Sequence, residues 1–294
     1  MAEYIKTILF GTGGAAKNFL QNDKEKRKYI IAVDNDKNKH NKSFNNLKII
    51  SPKEIEHYEY DEIIIASFFG LEIREQLLNM GMEKNKIILP SKNILKANNK
   101  YPFEDKATLN IAKQITKYIA SLAVKKDVHL HIDWGTLLGV IRDKDLIKWD
   151  DDVDFSSLID KYDKIFEFIK IALHSFAKNN SDINFEIHNL KNRIYTDILS
   201  KSNAFNDFRI DIDFKYIKDG LACQVNNDIW CNPAKHIEKL DIYQWEEVEI
   251  FIPNDVENYL TYTYGDWETP KKDCSLSDYN LNNLNFKGKN NEKK

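Results

Sequence analysis

The sequence predicts an α/β protein with two domains, and three observations support this prediction. The chain has 294 residues, a length typical of two domains. Short apolar runs alternate with helical patterns from Ile5 to Leu89, which favours a parallel sheet covered by helices. After residue 105, a long amphipathic pattern is followed by short strand patterns, which indicates a second unit of α+β type.

The domain boundaries follow from changes in composition along the chain. We predict an N-terminal α/β domain at residues 1–95, a polar linker at 96–104 and a second domain at 105–285. The second domain opens with "ATLNIAKQITKYIASLAVKK", whose apolar residues recur at three- and four-residue steps and predict a long helix. Residues 286–294, ending in "GKNNEKK", have nothing to bury and are predicted to be disordered.

Charge and cysteine content exclude several classes of protein. The net charge is −3 and no basic stripe is present, which argues against nucleic acid as the main partner. The three cysteines, Cys223, Cys231 and Cys274, are odd in number and form no CxxC pair, which argues against a disulfide framework and a zinc ribbon. A reducing cytoplasm fits this usage, and we find no apolar run long enough for a signal peptide or a transmembrane segment.

A glycine loop follows the first predicted strand. The stretch "ILFGTGGAAKNF" places Gly11, Gly13 and Ala16 in the spacing G-x-G-x-x-A, and Asp34 ends the next strand about 20 residues further on. This pattern predicts a Rossmann-like domain in which Gly11, Gly13 and Asp34 are candidate residues for binding a nucleotide cofactor. The alternative, which we favour, is a tight strand-to-helix turn that requires glycine.

Two strand patterns each carry alternating aspartates. In "LIKWDDDVDF", residues 146–155, Asp150, Asp152 and Asp154 share one face of a strand because side chains alternate. In "FRIDIDFKY", Asp211 and Asp213 do the same. Carboxylates this close repel each other and need either full solvation or a counter-cation. Two adjacent strands of this kind predict a site for Mg²⁺ or Mn²⁺, with a solvated acidic rim as the alternative.

The segment before the second strand pattern carries a recognisable signature. The run "GTLLGVIRDKDLIKWDDDVDF" closely resembles the signature of the LicD/fukutin-like phosphotransferase family. The Tyr-Gly-Asp run at residues 264–266, followed by Pro270, looks like a second element of that family. The resemblance covers most of residues 105–275 and implies a nucleotidyltransferase-like fold, which is a small mixed sheet flanked by helices.

The resemblance implies a set of metal ligands. Asp152 and Asp154 match the paired ligands of the family, and Asp211 or Asp213 matches the third carboxylate. Family members usually follow the third aspartate with an apolar-Phe-Pro sequence, whereas this chain has "DIDFKY". The sequence therefore leaves the choice between Asp211 and Asp213 open.

Three further residues are expected to contact the substrate. Gly135 and Thr136 open a predicted helix, and a helix N-terminus with a hydroxyl is suited to phosphate oxygens. Arg142 is expected to stabilise charge in the transition state, because a guanidinium binds phosphate through a bidentate fork. Asp143 departs from the family, where a histidine is common at this position.

The resemblance also implies an activity. That activity is transfer of a substituted phosphate, such as phosphocholine or a polyol phosphate, from a CDP-linked donor to a sugar hydroxyl. The acceptor is a surface glycan of capsule, lipooligosaccharide or teichoic-acid type, and the second product is CMP. Two alternatives stay open: a nucleotidyltransferase that releases pyrophosphate, and a non-catalytic nucleotide-binding protein. The sequence also leaves open the donor head group and the oligomeric state, a homo-oligomer included.

Overall fold

The structure is a computed structural model that describes residues 4–96, 101–190, 192–280 and 283. The tail predicted at residues 286–294 lies outside the described residues, and so do residues 97–100 of the predicted linker. Phe103, at the other end of the predicted linker, is buried in the second unit and contacts Phe208 edge-on, with ring centroids 5.7 Å apart.

The chain forms two compact units. One unit combines Met1–Asn99 with Lys271–Tyr279, and the other combines Lys100–Pro270 with Asn280–Lys294. The prediction of a mixed α/β chain with sheets in two domains is confirmed. The segment 271–279, which we predicted as part of the second domain, belongs to the first unit, where an isolated bridge pairs Ser91 with Ser275.

The first unit is built on a six-stranded sheet. Its strands, β1 to β6 in chain order, are Ile5–Phe10, Arg27–Val33, Ser43–Phe44, Leu47–Ile50, Glu62–Ile65 and Ile87–Ile88. Their order across the sheet is β3-β4-β2-β1-β5-β6, and every neighbouring pair is parallel except β3 with β4. Helices α1 (Gly14–Asn22) and α2 (Gly70–Asn79) follow β1 and β5. Continuous apolar runs such as the three isoleucines at 63–65 in β5 are buried because both faces of the sheet are covered.

The second unit contains the remaining helices and strands. Its helices, α3 to α7, are Lys106–Lys125, Trp134–Arg142, Tyr162–Asn179, Lys235–Glu238 and Val256–Tyr264. Its strands, β7 to β15, are His131–Ile132, Asp152–Leu158, Ile183–Asn189, Arg193–Ser200, Phe208–Lys218, Leu221–Gln224, Cys231–Pro233, Leu240–Trp245 and Val248–Pro253. The predicted amphipathic helix is α3, and its apolar stripe lies in the core.

Strand β11 organises the main sheet of the second unit. One edge of β11 pairs in parallel with β8, and the other edge pairs antiparallel with β10 and then with β12. Along β8 and β11, the apolar residues face the core while the aspartates face the opposite side. The core-facing residues are Val153, Phe155, Ile210, Ile212 and Phe214. This alternation places the aspartates of both strands on one face.

Two sequence-based expectations about this unit need correction. The aspartate strand begins at Asp152, so Asp150 lies in the turn before β8 and does not share its regular alternation. Cys223 and Cys231 form a disulfide between the adjacent strands β12 and β13, whereas the cysteine count had argued against one. The parity argument failed because one disulfide joins two of the three cysteines and Cys274 lies outside it. Among the described residues, no helix combines the length and the apolar character that crossing a membrane requires.

Candidate metal centre

The parallel register of β8 and β11 brings the predicted carboxylates together. Asp154 lies directly beside Asp211 in this register, and Asp152 is on the same face two residues earlier. Each of the three offers one carboxylate oxygen, and these oxygens all lie within 4.8 Å of one another. Because adjacent strands are about 4.8 Å apart, side chains paired in register meet without any loop rearrangement.

Burial and mutual repulsion make this cluster electrostatically unfavourable on its own. The pKa of Asp154 is raised well above its ordinary value by burial and by the nearby Asp152, Asp150 and Asp211 carboxylates. Burial and the Asp152 charge raise the pKa of Asp211 to about 7, although Arg193 opposes the shift. Buried anions in this arrangement are stabilised by a cation.

The donor set fits a hard divalent cation. The ligating atoms are all carboxylate oxygens, which Mg²⁺ and Mn²⁺ prefer over nitrogen or sulfur. Among the described residues, Oδ1 of Asp211 is buried without a hydrogen-bond partner, and an ion would satisfy it. Asp150 and Asp151 form a second acidic group with Asp152, so Asp152 belongs to both groups.

Asp213 has a different environment from Asp211. Its Oδ2 accepts a hydrogen bond of 2.9 Å from Nε2 of Gln224, and its Oδ1 lies 3.6 Å from Nε of Arg193. Burial raises the pKa of Asp213. Asp211, and not Asp213, therefore has its carboxylate within the cluster formed with Asp152 and Asp154.

Helix α4 begins at the cluster. The hydroxyl of Thr136, in the first turn of α4, is buried and accepts a 2.8 Å hydrogen bond from the backbone N–H of Asp154. A Cβ atom on Gly135 would lie 2.2 Å from Oδ2 of Asp150, so a larger residue here would require the Asp150 side chain to move. The predicted pair Gly135 and Thr136 thus lies beside the aspartates, where it contacts protein carboxylate and backbone groups.

A buried ion pair that the sequence analysis did not identify supports this helix start. Asp133 caps α4, and Lys215, four residues after Asp211, donates a 2.7 Å hydrogen bond to Oδ2 of Asp133. The Tyr259 hydroxyl accepts from Lys215 and donates to Oδ1 of Asp133, both at 2.7 Å. Burial alone would raise the pKa of Asp133, but the Lys215 ammonium lowers it to about 2. In "DIDFK", Lys215 follows Asp211 and Asp213 at two-residue steps and therefore shares their face of the strand, which was the available sequence signal.

The two arginines near the motifs have different positions. Arg142 ends α4, six residues after Thr136 and therefore about 9 Å further along the helix axis. Its side chain is 8% exposed and binds both carboxylate oxygens of Asp143, at 2.9 and 2.7 Å. Arg193 of β10, which the sequence analysis missed, donates from Nη2 to Oδ2 of Asp211 at 2.5 Å. The structure thus joins Arg193, not Arg142, to the carboxylates by a direct contact.

The glycine loop of the first unit has its own geometry. Gly11 has φ of +113°, and a Cβ atom there would lie 2.7 Å from the carbonyl oxygen of Ala66, so this position requires glycine. Gly13 is the N-cap of α1 and has open space around it. The Asp34 carboxylate accepts hydrogen bonds from the Thr12 hydroxyl and from the side chain of Lys39. These contacts lower its pKa, although burial alone would raise it.

Two family models match parts of the chain. Residues 127–255 match the family described as LicD/FKTN/FKRP, nucleotidyltransferase domain. Residues 3–88 match the family described as C2185-like, N-terminal. The chain therefore carries a nucleotidyltransferase domain of the LicD family, preceded by a C2185-like domain. LicD proteins are generally transferases, typically metal-dependent, with a phosphotransferase-type role in glycan modification, and Asp152, Asp154 and Asp211 all lie within the matched range.

Whole-chain comparisons are less informative. No curated protein matches the chain. Among solved structures, UDP-D-quinovosamine 4-dehydrogenase from Vibrio fischeri is 20% identical over 27% of this chain and 71% of that chain, with a TM-score of 0.23. A TM-score this low does not define a common fold.

Proposed function

We propose that the protein is a metal-dependent phosphotransferase. It transfers a substituted phosphate, phosphocholine or a polyol phosphate, from a CDP-linked donor to a sugar hydroxyl of a surface glycan. The observation that carries the proposal is the carboxylate cluster of Asp152, Asp154 and Asp211 at the start of α4, inside the LicD domain.

The carboxylates have two roles in this proposal, metal binding and proton acceptance. Asp152, Asp154 and Asp211 would hold Mg²⁺ or Mn²⁺. Asp213 remains a candidate for a further metal ligand. When bound, the ion supplies Lewis-acid stabilisation of charge on the diphosphate. A carboxylate that is not engaged by the ion accepts the proton of the sugar hydroxyl. The hydroxyl oxygen then attacks the distal phosphorus, the bond from that phosphorus to the bridging oxygen breaks, and CMP leaves.

The start of α4 orients the donor in this proposal. The backbone N–H groups of Gly135 and Thr136 in the first helical turn face the donor phosphate, where the helix dipole favours negative charge. Those of Trp134 and Leu137 donate to the cap residue Asp133. Thr136 acts through Asp154, whose backbone it holds. In this proposal Arg142 does not bind the donor, because its guanidinium already donates to both carboxylate oxygens of Asp143.

For the first unit, we propose a Rossmann-like half-fold without a redox role. Support comes from the parallel order β2-β1-β5 and from the glycine turn at Gly11. Asp34 is already bonded within the unit, so we assign it no nucleotide.

The donor is testable by thermal stabilisation. A ligand at one hundred times its Kd stabilises the native state by about 2.7 kcal/mol, which gives a clear melting shift. With Mg²⁺ present, one compound among CDP-choline, CDP-glycerol and CDP-ribitol is expected to raise Tm more than UDP-sugars, ATP or NAD. The shift is expected to shrink in Asp152→Asn. A response to NAD or ATP alone, unchanged in Asp152→Asn, contradicts the proposal.

A further inference from the structure

Arg193 lies at the start of β10, directly across from Asp213 in the antiparallel pairing of β10 with β11. Its Nη2 donates to Oδ2 of Asp211 at 2.5 Å, and its Nε lies 3.6 Å from Oδ1 of Asp213. The side chain is 37% exposed, so solvent reaches the guanidinium. Arg193 thus contacts a candidate metal ligand, Asp211, through Nη2, while part of its side chain stays accessible to solvent.

The bonding of this ion pair is incomplete on both sides. Among the described residues, Nε of Arg193 and Oδ1 of Asp211 are each buried without a hydrogen-bond partner. A guanidinium has five N–H donors in a planar fork, and the contact with Asp211 uses one of them. An arginine that serves only to clamp one carboxylate is expected to bind both of its oxygens, as Arg142 does with Asp143.

The charge balance of the site gives such a cation a role. The face of β8 and β11 concentrates Asp152, Asp154, Asp211 and Asp213, and a diphosphate that approaches it is repelled. One divalent cation cannot offset this many carboxylates together with the diphosphate. A guanidinium next to the cluster supplies further positive charge and matches phosphoryl oxygens in geometry.

We propose that Arg193 is the phosphate-binding cation of this site. Arg193 binds Asp211 while no metal ion is bound to the carboxylates. Once an ion is bound, Arg193 binds the non-bridging oxygens of the donor's diphosphate. The inference rests on the proposed function, because it assigns to Arg193 the contact that a phosphotransferase needs with its donor.

Divalent-cation binding tests the inference without any turnover. In Arg193→Gln, Mn²⁺ measured by calorimetry at pH 8 is expected to bind roughly fivefold more tightly, because a competing positive charge leaves Asp211. A purely structural clamp predicts the opposite, since loss of the clamp disorders Asp211. Weaker Mn²⁺ binding in a folded Arg193→Gln protein therefore overturns the proposal.

Diphosphate binding provides the second measurement. With Mg²⁺ present, Arg193→Gln is expected to bind CDP and inorganic pyrophosphate about tenfold more weakly, and Arg193→Lys is expected to be intermediate because it keeps the charge without the fork. Arg209→Gln is the matched control. Arg209 lies on the same face of β11, beside Asp152 in the register with β8, and its positive charge also acts on Asp211, but its guanidinium is bound by Asp197 at 3.0 Å. Its removal takes away a nearby positive charge without the contact to Asp211, so the loss of affinity for both diphosphates is expected to be clearly smaller than in Arg193→Gln.

The two probes separate the failure of each proposal. If pyrophosphate binding depends on Arg193 but CDP binds no better than pyrophosphate, Arg193 is supported and the CDP-linked donor is not. If CDP binds tightly to the wild-type protein and equally to Arg193→Gln, the donor is supported and the assignment of Arg193 is wrong. Circular dichroism confirms folding of each variant, and Arg193→Lys gives the answer if Arg193→Gln does not fold.

Discussion

The hydroxyl of Thr136 accepts a 2.8 Å hydrogen bond from the backbone N–H of Asp154. This bond ties the first turn of α4 to the strand that carries two of the clustered carboxylates. The backbone of Asp154 is held a second time, because its carbonyl oxygen accepts from the N–H of Asp133, the helix cap. These two hydrogen bonds therefore fix α4 against β8 at the candidate metal centre.

The first prediction concerns the Thr136 hydroxyl. Thr136→Val is expected to lower the free energy of unfolding by about 1–3 kcal/mol, because the N–H of Asp154 loses its partner in a buried position. Turnover is expected to fall as well, while Thr136→Ser keeps both stability and turnover near the wild-type values. Urea unfolding and an activity assay measure the two effects. Equal stability of Thr136→Val and the wild-type protein contradicts this role.

The second prediction concerns the buried pair of Asp133 and Lys215, whose side chains are 1% and 0% exposed. Lys215→Met is expected to destabilise the protein by about 3–5 kcal/mol, because the Asp133 carboxylate stays buried without its cation. Combining it with Asp133→Asn is expected to cost less than the sum of the single changes. A double-mutant cycle by urea unfolding measures this coupling. Strict additivity of the two changes rules the coupling out.

The third prediction concerns pH. Folding raises the pKa of Asp154 and Asp211, the latter to about 7, so the folded state binds more protons than the unfolded state between about pH 4 and pH 7. The contribution of these groups to stability is therefore most favourable below about pH 4 and falls as pH rises, and the contribution of Asp211 is lost as pH rises through about 7. In EDTA, the Tm of Asp154→Asn minus that of the wild-type protein is expected to increase over this window.

Metal ions are expected to reverse this trend, because protons compete with them for the same oxygens. The rise in Tm on adding Mg²⁺ is predicted to be larger at pH 8 than at pH 5.5, and to be small in Asp154→Asn at both values. Scanning fluorimetry measures all of these shifts. A rise in Tm that is the same at both pH values, or the same in the variant, is incompatible with a metal site at these carboxylates.

The fourth prediction concerns the disulfide between Cys223 and Cys231. Without reductant, only Cys274 is expected to react with a thiol reagent in denatured protein, whereas all three cysteines react after reduction. Reduction is expected to lower stability by about 2–3 kcal/mol, given the short loop that the bond closes. Intact mass after alkylation counts the modified thiols. Modification of all three cysteines without reductant excludes the disulfide. The cytoplasmic location that we predicted from the sequence stays a prediction, and disulfides are rare in that compartment.

The general plan of the fold and the main carboxylates could be predicted from sequence because they depend on local periodicity. Alternation in "WDDDVDF" and "RIDIDF" placed aspartates on one strand face, and the strands β8 and β11 have that form. Asp150 departed from the expectation because the strand begins two residues later, at Asp152. Strand ends depend on pairing partners, which a local pattern does not contain.

The remaining features depend on contacts between distant parts of the chain. The place of the Asp211 carboxylate in the cluster follows from its register with Asp154, which no local pattern specifies. The pair of Asp133 and Lys215 joins residues 82 positions apart. Arg193 reaches Asp211 only because β10 and β11 are antiparallel neighbours. Such contacts become visible once the strands are paired.

The measurement that tests the central claim most directly is product analysis by chromatography, with CDP-linked donors, Mg²⁺ and a panel of sugar acceptors. The proposed function predicts CMP together with a phosphorylated sugar, loss of both in EDTA, and recovery with added Mg²⁺ or Mn²⁺. Asp154→Asn is expected to reduce the rate about 100-fold or more while the protein stays folded, because the carboxylate cluster loses a ligand. Pyrophosphate released from a nucleoside triphosphate instead, or Asp154→Asn activity within tenfold of the wild-type value, contradicts the account.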